Sequence, residues 1–171
     1  MFYGGRLASH LCGSDIDDID EEVKDFISLR RLNRRGVILI DSDRKTKASA
    51  INETKQRLIE EFDRGPGYAW VTEGREIENY LPAEHVEAAI KATIPSAIPH
   101  SRFGKFENTL SIKRQNGKPA QASKTEVAKY ITKGFPANLE QYDLGKQLEK
   151  LVGFISESNP GVHVSATTSL D

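Results

Sequence analysis

The sequence predicts an α/β fold in which a parallel sheet is flanked by helices. Two short apolar runs, Val37–Ile40 and residues 68–72, each stop at acidic residues, and each is followed by a segment with helical periodicity. The first run lacks polar alternation, which is typical of a strand buried on both faces of a parallel sheet. Because strands alternate with helices, we expect right-handed crossovers between neighbouring parallel strands.

The elements before the second strand follow from local pattern. Residues 1–5 predict a short strand that ends at a glycine pair. Residues 20–34 predict an amphipathic helix with acids in its first turn and arginines near its end, a charge order that favours the helix dipole. Residues 48–63 predict the next helix, which Gly65-Pro66-Gly67 ends.

The segment after the second strand is first helical and then irregular. A helix is predicted at Ala83–Thr93, between two prolines. Residues 97–122 predict a basic loop or insertion, with one short strand at 109–113. A single domain over residues 1–159 accounts for this pattern, and residues 160–171 predict a flexible tail.

Two further helices make up the C-terminal part. Ser123 and Glu126 have the spacing of a capping box, in which the serine reaches forward and the glutamate reaches back. The helix that they open carries apolar residues on one face (Val127, Ala128, Ile131 and Phe135). Residues 144–156 place apolar side chains at core spacing and predict the last helix (Leu144, Leu148, Leu151, Val152 and Ile155).

Composition narrows the class of protein. A single cysteine, Cys12, excludes an internal disulfide and a zinc site built from cysteines. The sequence has no apolar run of membrane-spanning length and no signal-peptide pattern, so we expect a cytoplasmic protein without a membrane partner. The net charge of −1 hides a balance of −6 over residues 15–25 and +6 over residues 99–135. The basic stretch suits nucleic acid, although a charge run is more often a solvated surface.

Two carboxylates lie at the end of the first buried strand. Asp41 and Asp43 follow Ile40 and are one residue apart. Ligands of open α/β sheets bind beyond the carboxyl ends of the strands. Carboxylate oxygens there suit Mg²⁺ or Mn²⁺. The alternative is an Asp-rich turn in which Asp41 caps the following helix.

A second acidic segment follows the second strand. Glu73, Glu76 and Glu78 should emerge at the same edge as the two aspartates, because parallel strands point the same way. Carboxylates concentrated in this way repel one another in the absence of a cation. The two acidic strand ends together favour a divalent-metal site over a turn.

Lys124 is a third candidate. It lies in the first turn of the helix that Ser123 opens, where free N–H groups attract anions. Lysine at a helix N-terminus suits a phosphate group. From spacing alone, a solvent-exposed lysine on a capped helix is the simpler interpretation.

These residues resemble a known family. The segments Val37-Ile38-Leu39-Ile40-Asp41-Ser42-Asp43-Arg44 and Thr72-Glu73-Gly74-Arg75-Glu76-Ile77-Glu78-Asn79-Tyr80-Leu81 are similar to the TOPRIM nuclease domain of the OLD (overcoming lysogenization defect) family of ATP-dependent endonucleases. Two later segments agree, Lys124-Thr125-Glu126-Val127-Ala128 and Tyr142-Asp143-Leu144. The resemblance covers about residues 2–159.

The resemblance implies a Toprim-like (Rossmann-like) fold and metal-dependent hydrolysis of DNA phosphodiester bonds, in phage defence or DNA repair. Two Mg²⁺ or Mn²⁺ ions are the implied cofactors. The implied metal ligands are Asp41, Asp43, Glu73, Glu76 and Glu78, and the implied catalytic residues are Asp41, Asp43, Glu76 and Lys124. Lys124 corresponds to the family's lysine that stabilises the transition state. DNA is the implied partner, with an ATPase domain upstream or in trans and a possible homodimer.

One departure from the family limits this expectation. The family's first strand ends in a glutamate ahead of the strand predicted at residues 1–5, and no glutamate precedes Glu21. We therefore expect a C-terminal portion of a longer protein, with weak or no activity alone. A non-catalytic DNA-binding or dimerisation module is the main alternative. A receiver-like or phosphatase-like domain that is phosphorylated on an aspartate is a weaker alternative, because it gives Glu76 and Glu78 no role.

Overall fold

The structure is a computed structural model that describes residues 35–99 and 104–161. These residues form a mixed α/β arrangement of two compact units. Unit 1 comprises residues 35–40 and 50–71, and unit 2 comprises residues 41–49, 72–99 and 104–161. The predicted strand at residues 1–5, the predicted helix at 20–34 and the last ten residues of the chain lie outside the described residues.

Unit 1 is a two-stranded parallel sheet packed against one helix. Strand β1 (Val37–Ile40) pairs with β2 (Tyr68–Val71), and Ile40 lies opposite Val71, so the chain leaves both strands at the same edge. The parallel pairing confirms the prediction. Burial on both faces is wrong for Leu39, which is 43% exposed. Helix α1 (Glu53–Asp63) buries Leu58 against Ile40.

Helix α1 begins five residues later than the hydrophobic pattern predicts. Asn52 caps it by accepting a hydrogen bond from the Lys55 N–H at 2.8 Å. The preceding residues form a turn in which the Thr46 N–H donates to the Ser49 hydroxyl. Such local side-chain bonds give the backbone an alternative to the helix, and they delay its start.

Unit 2 contains the larger core. Helix α2 (Ala83–Thr93) and helix α3 (Lys124–Gly134) pack together and against a three-stranded antiparallel sheet. The core side chains come from all of these elements (Val86, Ala89, Ile90, Leu110, Ile112, Ala122, Val127 and Ile131). The forward half of the predicted capping box is present, because the Ser123 hydroxyl accepts from the Glu126 N–H. Val127, in the first turn of α3, packs into the core and holds that turn in place.

The antiparallel sheet corrects the prediction for residues 97–122. The predicted loop with one short strand contains three strands: β3 (Ala97–Pro99), β4 (Ser111–Arg114) and β5 (Pro119–Gln121). Strands of three or four residues are too short for hydrophobic alternation to identify them. We call residues 111–121, which comprise β4, a turn and β5, the basic hairpin.

Helix α4 (Leu144–Ser158) also differs from the prediction. It begins at the predicted residue and ends two residues later, but none of its side chains is buried, and Val152 remains 55% exposed. The predicted core role of its apolar face is therefore wrong for the described residues. Periodicity identifies an apolar side of a helix, but it does not identify what covers that side. In the part of the chain described, no helix is both long and apolar enough to cross a membrane.

We predict that Ile90→Ala lowers the free energy of unfolding by about 2–5 kcal/mol, because it leaves a cavity at a side chain with no exposed surface. Urea unfolding measures this change. Val152→Ala on α4 is the matched control and should change stability by less than about 0.5 kcal/mol. Equal losses in the two variants would contradict the assignment of the core.

Candidate functional site

Ser42 anchors the chain between the two aspartates that follow β1. This residue is 2% exposed, and its hydroxyl donates to the Gly74 carbonyl at 2.6 Å. Its N–H donates to the Thr72 hydroxyl at 2.9 Å, which itself donates to the Gly74 carbonyl. The segment after β1 is thereby bound to the segment after β2 through uncharged groups.

Asn79 organises the acidic segment. It is buried, and its Oδ1 accepts from the Glu76 N–H at 2.8 Å. Its Nδ2 donates to the carbonyls of Gly104 and Glu107 at 3.2 and 3.0 Å. Residues Ile77–Tyr80 form a 3₁₀-helix that the sequence pattern did not predict. The side chain of Asn79 therefore sets the backbone that carries Glu76 and Glu78.

Gly74 permits the close approach of these segments. A Cβ atom at this position would lie 2.7 Å from the Asn79 Cβ and 2.9 Å from the Lys105 carbonyl oxygen. Neither distance is compatible with normal contacts. The glycine in the acidic segment is therefore a packing requirement.

Lys124 lies among the predicted acidic residues. Its Nζ is 2.8 Å from the Glu78 Oε1 and 3.5 Å from the Glu76 Oε2. The Glu76 and Glu78 side chains are 15% and 12% exposed, whereas Lys124 is 52% exposed. Lys124 is exposed on a capped helix, as the simpler interpretation expects, and its helix also places its ammonium against two shielded carboxylates.

Asp41 belongs to the same cluster. Its Oδ1 accepts a hydrogen bond from the Ile77 N–H at 2.8 Å. Burial raises the pKa of Asp41, and the neighbouring charges of Glu78 and Glu76 raise it further, against the lowering effects of the Ile77 N–H and Lys124. We call Asp41, Glu76, Glu78 and Lys124 the acidic cluster.

The neighbouring carboxylates stabilise the charged form of Lys124, whereas they destabilise the charged form of Asp41. Burial lowers the pKa of Lys124, but the hydrogen bond and charge of Glu78 and the charges of Glu76 and Asp41 outweigh that effect and raise the pKa overall. Lys124 therefore remains charged near neutral pH and acts as the cluster's internal cation.

Asp43 and Glu73 are placed differently from the other predicted ligands. Asp43 is exposed and has a positive φ of 52°, and its N–H donates to the Arg75 carbonyl at 2.8 Å. Aspartate tolerates this left-handed conformation better than most residues. Glu73 forms an ion pair with Lys105, whose ammonium lies 4.9 Å from the centre of the Tyr142 ring.

A hydrogen-bond chain connects the acidic segment to the start of α4. The Tyr80 hydroxyl accepts from the Glu73 N–H at 3.1 Å and donates to the Asp143 carboxylate at 2.6 Å. The other Asp143 oxygen accepts from the Gln147 side chain. Glu73 therefore belongs to a second group of residues, with Lys105, Tyr80 and Asp143, rather than to the acidic cluster.

The donor set of the acidic cluster suits a hard divalent cation. Its three acidic side chains offer carboxylate oxygens, which are the ligands that Mg²⁺ and Mn²⁺ prefer. The Glu78 Oε2 is buried and has no hydrogen-bond partner among the described residues, and a buried acceptor in this state is unfavourable unless something binds it. Within residues 35–99 and 104–161, no group of three or more His, Cys, Asp or Glu side chains is arranged to hold a metal ion. A cation at Glu78 would have to share or displace the contact with Lys124.

Sequence reasoning did not assign roles to the residues that support the cluster. Ser42, Gly74 and Asn79 are short, uncharged and distant in sequence from most of their partners. The available signals were a serine between two aspartates and a glycine within an acidic segment. Lys105 could not be distinguished from the other lysines of its basic stretch.

Comparison with protein-family models, with curated proteins and with solved structures gave no match.

We predict that Asn79→Asp lowers the free energy of unfolding by about 1–3 kcal/mol at neutral pH, the usual cost of an unsatisfied buried polar group. The substitution keeps the acceptor for the Glu76 N–H but turns an oxygen toward the carbonyls of Gly104 and Glu107. Thermal unfolding measures this change. Asn138→Asp is the control, because Asn138 is exposed and its Oδ1 only accepts from the Glu140 N–H. Similar behaviour of the two variants would contradict the assigned role of Asn79.

We predict that Asp41→Asn raises the free energy of unfolding at pH 7 in the absence of metal. A pKa raised above 3.8 means that the folded state favours the protonated carboxyl. The stabilisation from this group is complete below pH 3.8 and is lost as the pH rises through the folded-state pKa. Asparagine is neutral at every pH and can still accept from the Ile77 N–H.

Urea unfolding in EDTA at about pH 7 and about pH 4 tests this sign, because the gain should shrink as the pH falls. Glu140→Gln on the exposed loop before α4 should stay within about 0.5 kcal/mol of wild type at both pH values. A loss of stability in Asp41→Asn at pH 7 would contradict the prediction.

Proposed function

We propose that the chain is the Toprim-like part of an OLD-family endonuclease that hydrolyses DNA phosphodiester bonds with Mg²⁺ or Mn²⁺. The observation that carries the proposal is the acidic cluster, in which Asp41, Glu76 and Glu78 meet Lys124. The carboxylates come from the segments after two in-register parallel strands. A surface salt-bridge network would not require shielded carboxylates or a buried acceptor without a partner.

In this proposal each residue has a defined task. Asp41 and Asp43 hold one divalent ion, and Glu76 and Glu78 hold the second, with Glu73 nearby. Two such ions supply a water nucleophile and neutralise the scissile phosphate. Lys124 meets the negative charge that develops on the phosphate in the transition state. Ser42 and Asn79 keep the carboxylates in position, because a cluster of like charges would otherwise separate.

The site of Lys124 supports its role in catalysis. Its first-turn position places it beside free N–H groups, which attract a phosphate oxygen. In the structure its ammonium pairs with Glu78. Binding of a cation to Glu78 would release the ammonium toward the substrate.

A second candidate function is a non-catalytic module that binds DNA or forms a dimer. The pairing of Lys124 with Glu76 and Glu78 favours it, because an internal cation already offsets part of the carboxylate charge. The two functions differ in one measurable property. Only the nuclease needs the acidic cluster to bind a divalent cation.

We predict that the purified chain binds Mn²⁺ in calorimetry and that Asp41→Asn, Asp43→Asn and Glu78→Gln each weaken binding by about 100-fold or more. Loss of a group that merely supports a ligand already costs about 10- to 100-fold. Glu84→Gln on α2 is the control with the same charge change, and it should bind as wild type does. Mn²⁺ binding that survives these substitutions would contradict the proposed ligands.

Nicking of supercoiled plasmid with Mn²⁺ then tests the reaction. Any cleavage should fall by about 100-fold or more in Asp41→Asn and in Lys124→Gln, since each loss of about 1.4 kcal/mol in transition-state stabilisation is tenfold in rate. Cleavage that persists in Asp41→Asn would contradict the proposed reaction, and the absence of Mn²⁺ binding that depends on Asp41 would favour the module over the nuclease.

A further inference from the structure

The basic hairpin carries positive charge that the structure does not neutralise. Several lysines of the surrounding sequence are paired: Lys105 with Glu73, Lys124 with Glu78 and Lys129 with Glu126. By contrast, the three cations of the hairpin are all exposed and form no ion pair with any described residue (Lys113, Arg114 and Lys118).

The strand register places these cations close together. The Arg114 N–H donates to the Lys118 carbonyl at 2.9 Å, so the two residues lie opposite each other across the hairpin. Opposed residues of a hydrogen-bonded pair have Cα atoms about 5.5 Å apart. Lys113 is the neighbour of Arg114 in β4, so its side chain leaves the opposite face of the strand. Like charges placed directly opposite each other destabilise a hairpin.

The hairpin backbone keeps these charges together despite their repulsion. Its turn ends at Gly117, whose φ of +75° is the left-handed conformation that closes a three-residue hairpin loop. The Gly117 N–H donates to the Arg114 carbonyl at 2.8 Å, and Asn116 accepts from the Lys118 N–H at 3.1 Å. The opposite end is fixed by Ile112, which is 1% exposed in the core of unit 2.

We propose that the basic hairpin is a docking surface for a nucleic-acid backbone, contacted through phosphates by Lys113, Arg114 and Lys118. The charges are exposed and lie on both faces of the hairpin, so an extended polyanion fits them better than a single phosphate does. Phosphate contacts of this kind fix the register of a protein on the duplex without reading its sequence.

The position of the hairpin in the chain connects it to the acidic cluster, and in this respect the inference rests on the proposed function. Lys118 and Lys124 are six residues apart, and a fully extended chain of that length spans at most about 20 Å. Phosphates follow one another at about 3.4 Å of helix axis along each strand. The hairpin would therefore hold the backbone within about six nucleotides of the scissile phosphate.

The test is the salt dependence of DNA binding in EDTA, measured by fluorescence anisotropy with a labelled duplex. Binding without metal is separate from cleavage, so failure of the nuclease proposal leaves this test intact. The variant is K113Q/R114Q/K118Q, which removes the three positive charges but keeps polar side chains. The control, K91Q/K133Q/K146Q, has the same change in net charge at exposed positions of α2, α3 and α4.

We expect the slope of log Kobs against log salt concentration to fall by about 2.7 in the hairpin variant, at about 0.9 per lost phosphate contact. The ratio of wild-type to variant affinity should then drop about 40-fold between about 50 and 200 mM salt. A slope equal to that of the control would overturn the proposal. Binding of poly-glutamate as tight as that of DNA would also overturn it, in favour of an acidic protein partner.

Discussion

The mutual repulsion of three shielded carboxylates is the main constraint on how the segments of unit 2 are arranged. Asp41, Glu76 and Glu78 come from two chain segments, and the pKa of Asp41 is raised by burial and by the two glutamates. Lys124 offsets part of this repulsion through its contacts with Glu76 and Glu78. The arrangement is therefore retained at a cost in stability, which is common where side chains are positioned for binding or chemistry rather than for folding.

Uncharged groups supply the rigidity that the charged groups cannot. The Gly74 carbonyl accepts from Ser42 and from Thr72, and Asn79 satisfies three backbone groups with one amide. The bonds of Ser42 and Thr72 are buried and those of Asn79 are partly buried, so water competes with them less effectively than at the surface. They fix the backbone on both sides of the carboxylates, and the charged side chains then project from a preformed frame.

The apolar core of unit 2 places the lysine against that frame. Val127 and Ile131 anchor α3 against the same core that holds Ile112 of β4. The orientation of that helix sets the position of Lys124 at its start. The core thus connects the acidic cluster with the basic hairpin. The proposed cation site and the proposed polyanion surface would thus lie on different elements of one unit.

Local pattern determined a large part of this protein. Short apolar runs that end in acids predicted the parallel pairing of β1 with β2. Flanking prolines predicted the bounds of α2. These signals act within a few residues of the chain. Only the tertiary structure decided the roles of Lys124, Asn79 and Glu73, because their partners are 48, 25 and 32 residues away. Strands β3 and β5 were also beyond local pattern, since three residues carry too little periodicity. The sequence thus determined which charges this protein carries, and packing over long sequence separations decided which of them meet.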